Sequence, residues 1–249
     1  MKRSRRTLVG LAVAAVLLAL GGIFGLPVLR DAPSFRLSRV EVTGTRLLAP
    51  HQVLASARIA PDESVWDDPE RWRAGVLRHP AVADVEVTRR FPGTLRLRVR
   101  EKRPAALVEA GALRPVTAGG ELLPLDPARI DMDLPLLRLR QAPAGERIAD
   151  PDDRILLAEV GRLSRLDPAL LADVSEIEPA GTGELLLRLT TPALIVRLPA
   201  GVGAGRIAEL RATLAELAGR SVGRDAAGFW LDLRYDEQIV VRPLPLPRV

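Results

Sequence analysis

Two histidines, His51 and His79, no cysteine, and two adjacent acid pairs, Asp67-Asp68 and Asp152-Asp153, are the groups in this 249-residue chain best suited to chemistry. They offer little. Without cysteine there is no disulfide framework, thiol nucleophile, Cys-ligated zinc, iron-sulfur site or lipoprotein anchor, and two histidines cannot make a three-His metal site. Both acid pairs stand just before helical spacing, where carboxylates accept hydrogen bonds from free amides and favour the helix dipole. Gly201-Val202-Gly203-Ala204-Gly205 lies between a strand-like and a helix-like run, the place of a phosphate-cradling loop. However, Arg206 occupies the position of the third glycine and no βαβ unit surrounds it, so the run reads as a turn. With no P-loop, HExxH or GxSxG motif, the chain is expected to be no enzyme and to carry no cofactor, metal or small-molecule substrate.

The densest basic strip is Arg89, Arg90, Arg96, Arg98, Arg100, Lys102 and Arg103. Nucleic-acid binding wants interleaved aromatics, and the strip offers only Phe91. It reads as the solvated face of an amphipathic strand, with contact to anionic headgroups or an acidic partner as the alternative.

The net charge of +5 and a pI near 10.7 also invite a nucleic-acid reading. The position of the charges removes it. Lys2, Arg3, Arg5, Arg6 and Arg30 precede every acid, and 36 cations less these five leave 31 against 31 acids downstream. Residues 7–29 carry no charge, and a helix of that length spans roughly 34 Å against a hydrocarbon core of about 30 Å. The sequence therefore predicts one transmembrane helix over 7–29 behind a cytoplasmic tail, 1–6. Lys2, Arg3, Arg5 and Arg6 hold that tail inside. The rival reading, a cleaved signal peptide, wants a shorter apolar run.

The elements that follow must position whatever the exterior does. After a linker, 30–35, residues 36–103 read as strand, helix, helix, strand, strand. Asp68 caps the second helix with Pro69 at its first position. Val85 and Val87 then alternate with polar residues, Phe91-Pro92-Gly93 turns, and Leu95, Leu97 and Val99 alternate with arginines. From residue 104 short apolar runs at 105–109, 113–117, 121–125, 136–139, 174–178, 185–189, 194–198, 229–235 and 239–242 predict a mainly antiparallel sheet. Two helices flank it, one capped by Asp152 or Asp153, the other presenting Ile207, Leu210, Leu214 and Leu217. The fold class is α+β: a transmembrane helix, a βααββ unit, a mainly antiparallel β domain over 104–242, and a Pro-rich tail, 243–249.

The run from His79-Pro80 through Arg89-Arg90-Phe91-Pro92-Gly93-Thr94-Leu95 to Glu101-Lys102-Arg103-Pro104 resembles the POTRA region of the FtsQ/DivIB cell division family. Leu134-Pro135-Leu136 resembles the family's LP-x-L segment, with Leu137-Arg138 where glycine often follows, and Trp230-Leu231-Asp232-Leu233-Arg234-Tyr235 resembles its C-terminal D-L-R-Y strand. The resemblance implies a bitopic, single-pass type II scaffold of the bacterial inner membrane, acting at the division septum. Its POTRA domain, 36–103, would serve recruitment. Its extracytoplasmic β domain would bind the bitopic partners FtsB (DivIC) and FtsL and so link them to septal peptidoglycan synthesis.

The residues are compatible with that role. Ile239, Val240 and Val241 belong to the last strand, whose edge can accept a partner strand through main-chain hydrogen bonds, while Pro243, Pro245 and Pro247 are expected to end it. Tyr235 suits core packing or, by the resemblance, a partner surface; Arg234 suits an ordinary surface ion pair or that same surface. The alternative is a POTRA-containing outer-membrane assembly or secretion component, which needs a transmembrane barrel after the POTRA unit.

Overall fold

The computed structural model describes residues 32–130, 132–181, 183–189, 194–218 and 226–245. The segment 7–29 and the cations Lys2, Arg3, Arg5 and Arg6 lie outside them. Among the described residues no helix is long and apolar enough to cross a membrane. The chain divides into two compact units, one to Glu101 and one from Lys102.

The first unit contains β1 (Arg39–Thr43), α1 (Pro50–Ala57), α2 (Pro69–Leu77), β2 (Val82–Arg90) and β3 (Thr94–Glu101). Its sheet runs β1-β3-β2, with β1 parallel and β2 antiparallel to β3. Alternation sends Leu95, Leu97, Val99 and Val85 into the core, where they meet Trp72 and Val76 of α2 and Val53 and Ala57 of α1. Asp68 caps α2 by accepting the Glu70 amide at 3.0 Å, as the sequence predicts. At the far end of β3 the Glu101 carboxylate accepts the amides of Arg46, Leu47 and Leu48, tying down the loop before α1. The two helices approach closely at Gly75, where an added Cβ would sit 2.7 Å from the Ser56 carbonyl oxygen.

The second unit holds β4 (Pro104–Ala110), β5 (Ala112–Thr117), β6 (Leu136–Leu137), α3 (Pro151–Leu166), α4 (Pro168–Ala172), β7 (Val174–Gly181), β8 (Glu184–Leu189), β9 (Leu194–Pro199), α5 (Ala204–Ala218), β10 (Ala226–Asp232) and β11 (Val240–Pro245). One sheet joins the strands in the order β11-β10-β9-β8-β7-β6-β4-β5. Its core gathers Leu156, Leu157, Val160 and Leu163 of α3, Ile207, Leu210 and Leu217 of α5, and alternate strand residues such as Leu185, Leu187, Val196 and Leu231. Leu214 is only partly buried against that core.

Several expectations change. The α3 cap is Asp150, which accepts the Asp153 amide; Asp152 and Asp153 lie in the first turn. The short helix α4, capped by Asp167, went unforeseen. The run 121–125 forms no strand of its own, and 136–139 shrinks to the two residues of β6. The pairing is mixed: β6 is parallel to β4 and β7, and β10 is parallel to β9. Parallel neighbours require a crossover, supplied by α3 and α4 between β6 and β7 and by α5 between β9 and β10. Pro243 and Pro245 do not end the last strand; they pair with Phe229 and Ala226 inside β11. Proline is tolerated there because β11 is an edge strand, where one side of the backbone has no ladder to supply.

Replacing Gly75 by valine should force α1 and α2 apart and cost about 1–3 kcal/mol. Equilibrium denaturation of the purified chain reads this as a lower midpoint at unchanged slope.

Candidate partner-binding edge

The groups first considered for chemistry serve the fold. His79 accepts the Ala81 amide through Nδ1 at 3.2 Å, and burial lowers its pKa. Asp67 accepts the Ser64 amide at 2.8 Å, and Asp153, only 1% exposed, accepts the Arg140 amide at 3.1 Å. In the glycine run the Gly201 amide donates to Glu159 at 3.0 Å. Among the described residues no three His, Asp or Glu gather closely enough to hold a metal ion.

The basic strip is largely neutralised by its own sheet. Arg96 binds Glu41 of β1 at 2.8 Å, Arg98 and Arg100 face Glu86 and Asp84 of β2, and Lys102 binds Glu121 at 2.7 Å. The Arg96 hydrogen bond, helped by the charges of Arg90 and Arg39, holds the Glu41 carboxyl below its usual range. The Arg98–Glu86 pair is exposed on both sides and contributes little, while the Arg96–Glu41 and Lys102–Glu121 pairs are half-buried.

The open edge is another matter. The eight-stranded sheet ends in β5 on one side and β11 on the other. The β5 edge is partly covered, because Thr117 donates to the Glu121 carbonyl and Leu123 to the Pro115 carbonyl. On its outer side β11 has no strand partner among the described residues. Val241 is exposed, Val240 half-buried, and Ile239 half-buried against the core.

Beside this edge β10 stops at Asp232 and the chain turns, which takes Tyr235 out of the alternation and leaves it 45% exposed. Core packing is thus not its role. Arg234 forks onto Asp232, with Nε to Oδ1 at 2.9 Å and Nη2 to Oδ2 at 2.7 Å. Its Nη1 also lies 3.7 Å from Glu184 of β8, which Arg197 of β9 binds as well. Asp232 is 7% exposed, and Arg234 holds its carboxyl below the usual range.

Arg206, which sequence reasoning noted only as a missing glycine, reaches from α5 to this turn. Its Nη2 donates to the carbonyls of Tyr235 at 2.8 Å, Gln238 at 3.2 Å and Leu233 at 3.5 Å. No local signal pointed to it, since these acceptors lie 27 to 32 residues away.

The FtsQ-type POTRA domain model matches residues 35–102. Cell division protein FtsQ of Rhodothermus marinus is 36% identical to this chain, covering 96% of it and 88% of that protein. The chain belongs to the FtsQ family of cell division proteins. Family members from Streptomyces coelicolor and Streptomyces bingchenggensis are each 30% identical, covering 74% and 84% of this chain and 71% and 79% of their own lengths. The first unit is thus the FtsQ-type POTRA domain of a cell division protein.

The Asp232–Arg234 pair gives a pH test. Because the folded carboxyl titrates below its unfolded value, its stabilisation is complete above about pH 4 and is lost as the pH falls through the folded value. Asp232→Asn should therefore lower the unfolding midpoint at neutral pH, and the difference from the parent should shrink as the pH is taken below about 4.

Proposed function

We propose that this chain is a bitopic inner-membrane scaffold of the division machinery, anchored by residues 7–29 and oriented by Lys2, Arg3, Arg5 and Arg6. Its β domain takes a strand from FtsB/DivIC-like and FtsL-like partners along β11 and links them to septal peptidoglycan synthesis. The observation that carries the reading is the β11 edge, which has no outer strand partner among the described residues and follows the exposed Tyr235. An edge strand offers unpaired amides and carbonyls to an incoming chain. Arg206 holds the adjoining turn, so a partner would meet an ordered surface and lose less conformational entropy on binding. In this reading Arg234, Tyr235, Ile239, Val240 and Val241 form the contact, with Ile239 supporting it from the core side.

The organisation we propose is a cytoplasmic tail 1–6, span 7–29, linker 30–35, POTRA domain 36–103 and a β domain from 104, which β11 carries past the expected end at 242 to Pro245. The outer-membrane alternative is not favoured. Strands of the second unit are two to eight residues long and helices interrupt them, whereas a transmembrane strand needs about 9–11 residues.

Purified full-length chain in detergent should bind the extracytoplasmic segments of FtsB-like and FtsL-like proteins. A charge-assisted contact desolvated at the interface is worth about 2–5 kcal/mol on truncation, so Arg234→Ala should weaken binding by roughly 30-fold or more. Tyr235→Ala, at an exposed position, should weaken it with little change in unfolding midpoint. Parent-like affinity in a folded double variant would remove these two residues from the site. Mass spectrometry of the membrane-bound protein should find the N terminus uncleaved; cleavage after the apolar run would refute the anchor.

A further inference from the structure

The aromatic residues are few, yet three of them meet at one end of the POTRA domain. Phe35 precedes β1, Trp66 lies in the loop before α2, and Phe91 occupies the β2–β3 turn. Ring centroids are 4.7 Å apart for Trp66 and Phe91, 5.7 Å for Phe35 and Trp66, and 6.2 Å for Phe35 and Phe91. A purely structural cluster would be buried with the core around Trp72. This one is not: Phe91 is 55% exposed, and Phe35 and Trp66 are only half-buried.

Cations border it. The strand register places Arg39 of β1 and Arg90 of β2 opposite the same residue, Thr94 of β3, in the row next to the Phe91 turn. Side chains opposite one another across a ladder share a face of the sheet. Further along the sheet, Arg96, Arg98 and Arg100 are paired with acids. Among the described residues Arg36, Arg39 and Arg90 are exposed and hold no side-chain hydrogen bond or ion pair. The charges of Arg39 and Arg90 act on Glu41, whose ion pair is with Arg96, and Glu63 is paired with Arg71. Asp62, Asp67 and Asp68, on either side of Trp66 in sequence, keep their charge on the helix side of the cluster. This end of the domain therefore joins exposed aromatic surface to a row of exposed arginines on the open face of the sheet.

Chain length says what lies opposite. Only six steps separate Leu29, the last residue of the apolar segment, from Phe35, so the cluster lies within about 20 Å of the end of that segment. Phe35 cannot swing free, since its carbonyl accepts the Val65 amide and the next residue but one, Leu37, donates to Glu63, each at 2.8 Å. Aromatic rings bordered by arginines suit the headgroup level of a bilayer containing anionic lipid.

We propose that the Phe35–Trp66–Phe91 end of the POTRA domain docks on the anionic membrane surface beside its own anchor, with Phe91 at the headgroup boundary and Arg36, Arg39 and Arg90 against lipid phosphates. The inference rests on the proposed anchor at 7–29. Docking would restrict the domain's tilt and present its remaining faces outward at a defined height.

The test reconstitutes full-length chain in vesicles of phosphatidylcholine containing about one-third phosphatidylglycerol, with or without phospholipid brominated near the top of its acyl chains. The Trp66 signal is the difference between the parent and Trp66→Phe. Bromolipid should reduce that signal at least twofold. The effect should be lost in Phe91→Glu, in the Arg36→Ser/Arg39→Ser/Arg90→Ser variant, and in salt of about 0.5 M, where charges are screened beyond a few ångström. Phe91→Glu removes ring contacts with Trp66 and Phe35 and should lower the unfolding midpoint somewhat, whereas the triple arginine variant, at exposed positions, should keep the parent's midpoint and carries the test. Equal Trp66 emission in plain and brominated vesicles, with the chain still resisting carbonate extraction, overturns the docking alone. Extraction by carbonate overturns the anchor and the docking with it.

Discussion

Arg206 is the hinge pin of the C-terminal architecture. One guanidinium nitrogen at the start of α5 gathers the carbonyls of Leu233, Tyr235 and Gln238, the acceptors freed when β10 stops pairing and the chain reverses toward β11. The Leu233 carbonyl is part-buried and the other two lie at the surface, so the gain is chiefly in ordering the turn, by a charged donor that bonds more strongly than a neutral one. Because α5 is also the crossover that makes β10 parallel to β9, the same helix that sets the strand order secures the turn that presents Tyr235.

The ion pairs beside that turn divide by burial. Arg234 and Asp232 form a forked pair whose carboxylate is nearly sealed from water, so removing one partner leaves a charge poorly hydrated. The pairs across β1, β3 and β2 of the POTRA domain are half-buried to exposed and better hydrated than Asp232. What those pairs do is cancel charge along most of the sheet. Arg36, Arg39 and Arg90, which hold no ion pair among the described residues, stand at the aromatic end, where the chain enters the domain.

Much of the POTRA fold was readable because its signals are local. Asp68-Pro69 states a helix start within three residues, and Leu95, Leu97 and Val99 alternating with Arg96, Arg98 and Arg100 state both the strand and its buried face. The D-L-R-Y run likewise marked the neighbourhood of the candidate edge. Reading failed in two ways. At α3 the local Asp150-Pro151 start was passed over for Asp152 or Asp153, and beyond β10 the outcome depended on distant chain, since Tyr235 leaves the alternation where β10 ends at Asp232.

The sequence by itself determined an uncharged 23-residue segment behind four cations, an electrically balanced remainder, the βααββ order, and the residues that resemble the FtsQ family. Tertiary structure alone decided that β9 and β10 run parallel, that Pro243 and Pro245 sit inside an edge strand, that Arg206 holds the Tyr235 turn, and that Phe35, Trp66 and Phe91 meet. The physical reason is range. Propensity, capping and alternation act over a turn or a strand, whereas strand neighbours and ring contacts depend on the path of the chain between them, which no local pattern encodes.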